Sequence, residues 1–321
     1  MKVAYTDFIQ SDLDLEAGLL GEAGMTLVPA AAPCRTPDEV IRLADGAFGL
    51  LVQAAPVTRA VFEALPALHV VSVPGIGVDS IDLDAAGDHG VWVANVPDAN
   101  LTEVATHAVA MTLSLIRHLP LFDRDVHGGT WGYELTGPLH RPGHLTFGLV
   151  GLGRIGRLTA SYAAPMFGSV MAFDPLVPQD AWPGEVVRAE DLAALFRQSD
   201  VVSLHLPLTA ETQGLVGAEL LAEMKPGSYL VNVSRGPIVD IGALLAALDR
   251  GHLAGAALDV LPHEPPAADD PVLGHPRVLL SPHAAFYSLE SEEELARRSV
   301  TNIIDLARQG RPHSVVVEGT R

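Results

Sequence analysis

A single cysteine, Cys34, stands in the chain, so no internal disulfide can form and no cysteine cluster can hold zinc or an iron–sulfur centre. Positive charge is scarce as well. Twenty lysines and arginines face 39 acids, for a formal net charge of −19. Such a balance repels nucleic-acid phosphates and anionic membrane surfaces, and no basic tract offsets it. Neither nucleic acid nor membrane is therefore expected as a partner, and the excess acid reads as a contribution to solubility. No apolar run approaches the roughly 20 residues that cross a bilayer, and the opening Met1–Asp7 meets an acid before any signal-like run. A soluble, cytoplasmic protein is expected. The 13 histidines are scattered, and no His-x-x-x-His pair sits on a helix beside a carboxylate, so no metal site is expected. Low-complexity tracts and sequence repeats are absent too.

What remains is a chain of 321 residues, 48% hydrophobic, which is globular and long enough for two domains with a core each. Short apolar runs, Lys2–Tyr5, Thr26–Val28, Phe48–Val52, His69–Val73 and Val91–Ala94, alternate with amphipathic stretches. That is the rhythm of a parallel α/β sheet. Thr36-Pro37-Asp38-Glu39 opens one of the helices, with a capping hydroxyl, proline at the first position and acids in the first turn. The rhythm resumes through Val170–Phe173, Val201–Leu204, Tyr229–Val233, Gly255–Leu258 and Val278–Leu280, so two doubly wound parallel sheets are expected. The boundary is placed near Val96-Pro97-Asp98, before the apolar helix Leu101–Arg117. A last helix, Glu290–Arg308, returns to the first domain. The domains are then 1–97 with 288–321, and 98–287, leaving a cleft at the hinge. The Leu101–Arg117 helix is apolar on more than one face, which points to burial against another element or a second subunit, hence a homodimer.

Residues 145–156 read Leu-Thr-Phe-Gly-Leu-Val-Gly-Leu-Gly-Arg-Ile-Gly, an apolar strand running into Gly151, Gly153 and Gly156. In this spacing the first glycine permits a tight turn, the second lets the backbone approach a pyrophosphate, and the third packs the following helix on the strand. That helix aims its N-terminal amides at the anion. A second apolar strand then ends at Asp174, near the place of the acid that binds the adenosine ribose and repels a 2′-phosphate. No base follows in Pro175-Leu176-Val177-Pro178, so NAD is expected in preference to NADP.

Three polar residues occupy strand-to-loop positions of the second sheet: Arg235, Glu264 and His283. Ligands of open parallel sheets bind beyond the carboxyl ends of the strands, where these three can converge on the nicotinamide. Their chemistry suits hydride transfer to a 2-oxo acid. Arginine binds the carboxylate and carbonyl, histidine donates the proton, and glutamate orients the ring and favours its protonated form. Each alone also suits a surface or capping role.

From Val73-Pro74-Gly75-Ile76-Gly77-Val78-Asp79 to Pro282-His283-Ala284-Ala285, almost the whole chain resembles the D-isomer-specific 2-hydroxyacid dehydrogenase family. The segments carrying the likeness are the Gly151–Gly156 loop, His205-Leu-Pro-Leu-Thr209 with Thr212, Asn232-Val-Ser-Arg-Gly236, Asp259-Val260 with Glu264-Pro265, and Pro282-His283. The resemblance implies a flavodoxin-like substrate domain beside a Rossmann domain, with an Arg–Glu–His set at Arg235, Glu264 and His283. It implies NAD contacts at Arg154, Ile155, Asp174, Leu206, Pro207, Thr212, Val233, Ser234 and Asp259 as well as the three glycines. Substrate contacts fall on Gly75, Ile76 and Gly77, whose amides meet the carboxylate, and on Arg235. Asp259 also suits a turn cap, Pro207 a strand end and His205 a satisfied core histidine.

Two departures bear on the substrate. Many relatives have arginine where this chain has Val73, which argues against a phosphorylated or dicarboxylic substrate. The segment His283–Ser288 also resembles the C-terminal-binding protein corepressors, in which an aromatic at the position of Phe286 lines the pocket. A small or apolar 2-oxo acid is thus expected, with Trp131, Tyr133, Phe286 and Tyr287 as pocket walls or, alternatively, core residues. Two other readings stay open: an NAD-sensing interaction protein like those corepressors, and a phosphite dehydrogenase. Formate is disfavoured because formate dehydrogenases carry glutamine at the place of Glu264.

Overall fold

The computed structural model describes residues 1–8, 12–134 and 138–321, which fall into two compact units. Unit 1 comprises Met1–Asn100 and Ser288–Arg321, and unit 2 comprises Leu101–Tyr287. The first crossing lies a few residues past the boundary expected at Val96–Asp98.

Unit 1 begins with strands β1 (Lys2–Tyr5), β2 (Thr26–Pro29), β3 (Gly49–Leu51), β4 (Val70–Ser72) and β5 (Trp92–Ala94). Helices α1 (Asp14–Glu22), α2 (Pro37–Ala44), α3 (Arg59–Ala64) and α4 (Leu83–Asp88) connect them. In unit 2 the strands are β6 (Thr146–Val150), β7 (Ser169–Phe173), β8 (Val187–Arg188), β9 (Val201–Leu204), β10 (Ser228–Asn232), β11 (Leu253–Leu258) and β12 (Val278–Leu280). Its helices are α5 (Leu101–Ile116), α6 (Leu119–His127), α7 (Arg154–Ala163), α8 (Leu192–Gln198), α9 (Ala218–Glu223) and α10 (Ile241–Asp249). Helix α11 (Leu289–Gln309) and strand β13 (Val315–Val317) complete unit 1.

The sheet of unit 1 is ordered β13-β5-β4-β3-β1-β2, all parallel except β13. Unit 2 is wholly parallel, ordered β12-β11-β10-β9-β6-β7-β8. The first is the flavodoxin-like order with an added edge strand; the second is the Rossmann order extended by one strand. Chain direction across each sheet reverses between β1 and β3 in unit 1 and between β6 and β9 in unit 2.

Because helices cover both faces, the central strands are mostly apolar rather than alternating. Val3 and Tyr5 pack with Val300, Ile303 and Leu306 of α11, whereas Ala4 and Leu50 join Val40, Ala44, Val61 and Phe62 on the other side. The start of α2 is a complete capping box: the Glu39 amide donates to Thr36 Oγ1 at 3.4 Å, and the Thr36 amide donates to Glu39 Oε2 at 3.0 Å. Losing such a cap costs about 1 kcal/mol.

Helix α5 corrects one expectation. Its Val104, Ala108, Met111, Leu115 and Ile116 lie in one core with Phe147, Leu149, Ala160, Ala163 and Val231 of unit 2. Its apolar face is thus satisfied within the chain and is no argument for a second subunit. Exposed apolar residues do lie just beyond it, on α6, which has no buried residue, and at Trp131 and Tyr133, 90% and 77% exposed. These two aromatics project to solvent rather than lining a core. No helix among the described residues is long and apolar enough to cross a membrane, and no group of His, Cys, Asp or Glu there suits a metal ion.

Candidate active site

At the reversal point of unit 2 the loops after β6 and β9 touch. The His205 amide donates to the Val150 carbonyl at 2.8 Å. Gly151, at φ +94°, lies so close that a Cβ there would stand 2.4 Å from the His205 carbonyl oxygen. Gly156 is just as constrained, since its Cβ would meet the Gly151 carbonyl oxygen at 2.3 Å. Gly153 differs: it is exposed, with nothing within 4 Å of the place for a Cβ. Two glycines are thus demanded by the protein's own backbone. The third leaves clear space at the start of α7, where helix amides face an anion. That cradle fits a dinucleotide pyrophosphate.

Asp174, at the end of β7, accepts from the Leu152 amide at 2.8 Å and the Leu176 amide at 2.9 Å, which ties it to the glycine loop. The other expected cofactor residues divide. Arg154 is exposed and Ile155 half-buried at the helix start, and Leu206 and Pro207 follow β9. Val233 and Ser234 are buried, and the Ser234 hydroxyl donates to the Leu204 carbonyl at 2.8 Å, so side-chain capacity there serves the protein. The Thr212 hydroxyl likewise bridges its own loop, donating to the Pro207 carbonyl at 2.7 Å and accepting from the Thr209 amide at 2.8 Å.

Asp259 makes the bonds of a turn cap, one of its two expected roles. Its carboxylate is buried and accepts from the Ser281 hydroxyl at 2.5 Å and from the Ala284 and Ala285 amides at 2.9 and 3.0 Å. A carboxylate accepts about four hydrogen bonds, so one lone pair at most remains for a cofactor. The inward bonds hold the segment carrying His283.

His283 and Glu264 meet, Nδ1 to Oε2 at 2.6 Å, although they lie on loops after different strands. The second Glu264 oxygen accepts from the Leu261 amide at 2.8 Å. Burial alone would raise the Glu264 carboxyl, but the hydrogen bond and charge of His283, the Leu261 amide and the Arg235 charge outweigh it and hold the carboxyl below its usual range. Arg235 precedes Gly236, where a Cβ would stand 2.0 Å from the Leu261 carbonyl carbon, so only glycine lets the Arg235 and Glu264 loops lie against each other. Asn232 Nδ2 donates to the Arg235 carbonyl at 2.9 Å, fixing the turn. The His283 backbone is left-handed at φ +53°, an uncommon state for a residue with a side chain. Phe286 stands edge-on to the histidine ring at 6.5 Å, with Tyr287 edge-on to Phe286.

Gly75, Ile76 and Gly77 follow β4 in unit 1, where Asn95 Nδ2 donates to the Ile76 carbonyl at 2.8 Å. Val73 is 3% exposed in the core. His205 is only partly satisfied: Nε2 lies 2.9 Å from the Ser203 hydroxyl, while Nδ1 is buried without a partner. Burial lowers its pKa to about 4. Sequence reasoning missed Ser281 and His107, which bond each other at 2.9 Å beside Asp259; neither carries a motif, and 174 positions separate them.

A Rossmann sheet with a glycine cradle, an acid after the second strand and a histidine–carboxylate pair beyond the strand ends defines a dinucleotide-binding protein equipped for proton transfer. Residues 109–285 match the family described as D-isomer specific 2-hydroxyacid dehydrogenase, NAD binding domain, and the chain belongs to that family. It is 38% identical over 266 residues to a D-3-phosphoglycerate dehydrogenase of Bacillus subtilis, covering 81% of this chain and 49% of that one. The chain thus spans about half the length of that relative. A glyoxylate reductase of Korarchaeum cryptofilum is 36% identical over 288 residues, 87% of this chain and 84% of its own. Among solved structures, a D-lactate dehydrogenase from Aquifex aeolicus, complexed with NAD and lactic acid, superposes with a TM-score of 0.87 at 26% identity, over 99% of this chain and all of the other.

Proposed function

We propose that the protein is an NAD-dependent 2-hydroxyacid dehydrogenase working as a reductase of a small or apolar 2-oxo acid. The observation that carries this reading is the 2.6 Å contact of His283 Nδ1 with Glu264, at the ends of adjacent parallel strands and beside Arg235. NAD, when bound, supplies the hydride chemistry; Gly151, Gly153, Gly156 and the α7 N-terminus hold its pyrophosphate, and Asp174 its ribose. Glu264 accepts a hydrogen bond from Nδ1–H and so fixes the ring, leaving Nε2 to donate its proton to the carbonyl oxygen in reduction and to accept one from the hydroxyl in oxidation. Arg235 grips the carboxylate and carbonyl by charge-assisted bonds. The Gly75-Ile76-Gly77 turn offers amides to the carboxylate; in support, Gly75 has neither a positive φ nor a crowded Cβ position to explain it. Preference for NAD over NADP rests on Asp174 and the lack of a base in residues 175–178. Phe286 is the pocket wall on this reading, and Val73 leaves no charge for a phosphate. A homodimer is proposed from the unburied apolar residues of α6 and the exposed Trp131.

The test is NADH oxidation across glyoxylate, hydroxypyruvate, pyruvate, phenylpyruvate and 2-oxoglutarate, with NAD plus phosphite as the reverse control. Wild type is run beside His283→Ala and Arg235→Ala. His283→Ala should lower kcat by about 10²–10⁴-fold with NADH affinity retained, and Arg235→Ala should raise the substrate KM as well as slow turnover. Unchanged turnover in His283→Ala sinks the reading. NADH-driven dimerisation without turnover on any acid favours the interaction protein instead.

A further inference from the structure

Resting on the proposed role of His283, we infer that His107 is a positioning residue for that histidine, acting through Ser281 and Asp259. The direction of the hydrogen bonds follows from proton counting. An ionised Asp259 carboxylate only accepts, so the 2.5 Å bond from Ser281 uses the single hydroxyl proton. The 2.9 Å contact between His107 Nε2 and Ser281 Oγ must then be filled by a proton on the imidazole. The chain runs one way, from His107 Nε2–H to Ser281 Oγ–H to Asp259 Oδ1, with His107 Nε2 itself 3.6 Å from that oxygen.

What the carboxylate then holds is the backbone around His283. It accepts from the amides of Ala284 and Ala285, while the Asp259 carbonyl accepts from the His283 amide at 2.7 Å. Three successive amides are thus tied to one residue, and the left-handed φ of +53° lies at their start. A non-glycine residue in that region is strained and persists only where its surroundings over-determine it. Without the imidazole the Ser281 hydroxyl is free to rotate away from Asp259, and the carboxylate loses one of the three bonds that hold it. His107 lies on α5, not on the loops that carry the residues proposed to meet the substrate.

The experiment compares full-length wild type with His107→Ala, His107→Gln and Ser281→Ala. Glutamine can present an amide N–H near the place of Nε2. The first readout is hydrogen–deuterium exchange of the peptide spanning 281–287, which needs no catalytic activity. Exchange should quicken about tenfold in His107→Ala and in Ser281→Ala and return toward wild type in His107→Gln. The second readout is steady-state reduction of whichever 2-oxo acid the wild type turns over. There kcat should fall about tenfold in His107→Ala with KM for NADH within twofold, recover in His107→Gln, and fall no further in the His107→Ala/Ser281→Ala double variant. Unchanged exchange in His107→Ala overturns the inference, as does quicker exchange with unchanged kcat, additive losses, or a loss that glutamine does not restore. Should His107→Ala fail to fold, Ser281→Ala and His107→Gln decide it by the same criteria. If the wild type reduces no 2-oxo acid while exchange behaves as described, the dehydrogenase reading fails and the anchoring of the 283–285 backbone stands.

Discussion

Each unit of this chain has one place where its sheet reverses direction, and the two places are finished in opposite ways. In unit 2 the loops after β6 and β9 enclose a glycine turn whose exposed middle glycine, Gly153, leaves clear space before a helix N-terminus. In unit 1 the corresponding place, after β1 and β3, is filled by the protein itself. Asp7 accepts from the amides of Gln53, Ala54 and Ala55 at 3.0, 2.6 and 2.9 Å, and from the Thr6 hydroxyl at 2.5 Å. Backbone amides pooled beyond strand ends attract an anion in either case. One unit keeps that attraction for a ligand, and the other neutralises it with a side chain. A shared fold therefore says where binding can occur, and a single residue at the reversal point says whether it does.

The sharpest way to break this contrast is Gly151→Ala. The new Cβ meets the His205 carbonyl and a φ of +94° that L-residues rarely adopt. NADH affinity should fall at least about 100-fold, measured by quenching of protein fluorescence or by calorimetry. Wild-type affinity in this variant would mean that the glycine loop is not the cradle. Next in size is Asp7→Ala, which leaves three amides without their acceptor. Unit 1 should lose about 3 kcal/mol in urea unfolding while NADH affinity stays within twofold. Equal damage to both measurements would dissolve the distinction between the units.

Two pH effects sharpen the comparison inside unit 2. Buried His205, at about 4, lies below its unfolded value of about 6.5. The unfolded chain therefore binds more protons between these values, and stability falls as pH drops from about 6.5 toward about 4. His205→Asn should flatten that slope in thermal melts at stepped pH. Glu264 acts lower on the scale: its depressed carboxyl contributes stability above the unfolded value of about 4.3 that is lost as pH falls through the folded one. Glu264→Gln should remove this smaller acid limb, which solvent screening limits because the side chain is 35% exposed.

What could be read in the sequence was what is local. The strand-and-glycine turn at 146–156, the capping box at Thr36 and the polar residues at strand ends all announce themselves within a dozen positions. The Asp7 plug does not, because its amides come from 46 to 48 residues away. For Asp259 the sequence leaves two roles open, NAD contact and turn cap, since a carboxylate at a strand end looks the same whether it faces a ligand or its own chain. Strands β8 and β13 are not legible in the sequence, because two or three residues at a sheet edge carry no periodic signal. The apolar excess of α5 was seen, but hydropathy alone could not distinguish a neighbouring helix from a neighbouring molecule.

The left-handed backbone at His283 also limits how this site can be moved. Its imidazole leaves a main chain in an uncommon left-handed conformation, so Arg235, Glu264 and His283 copied as three side chains onto a scaffold without that backbone would point elsewhere. A graft has to carry Asp259, Ser281 and the Ala284-Ala285 backbone with them. For anyone redesigning the protein, the smallest transferable part is a strand end together with the loop bound to it.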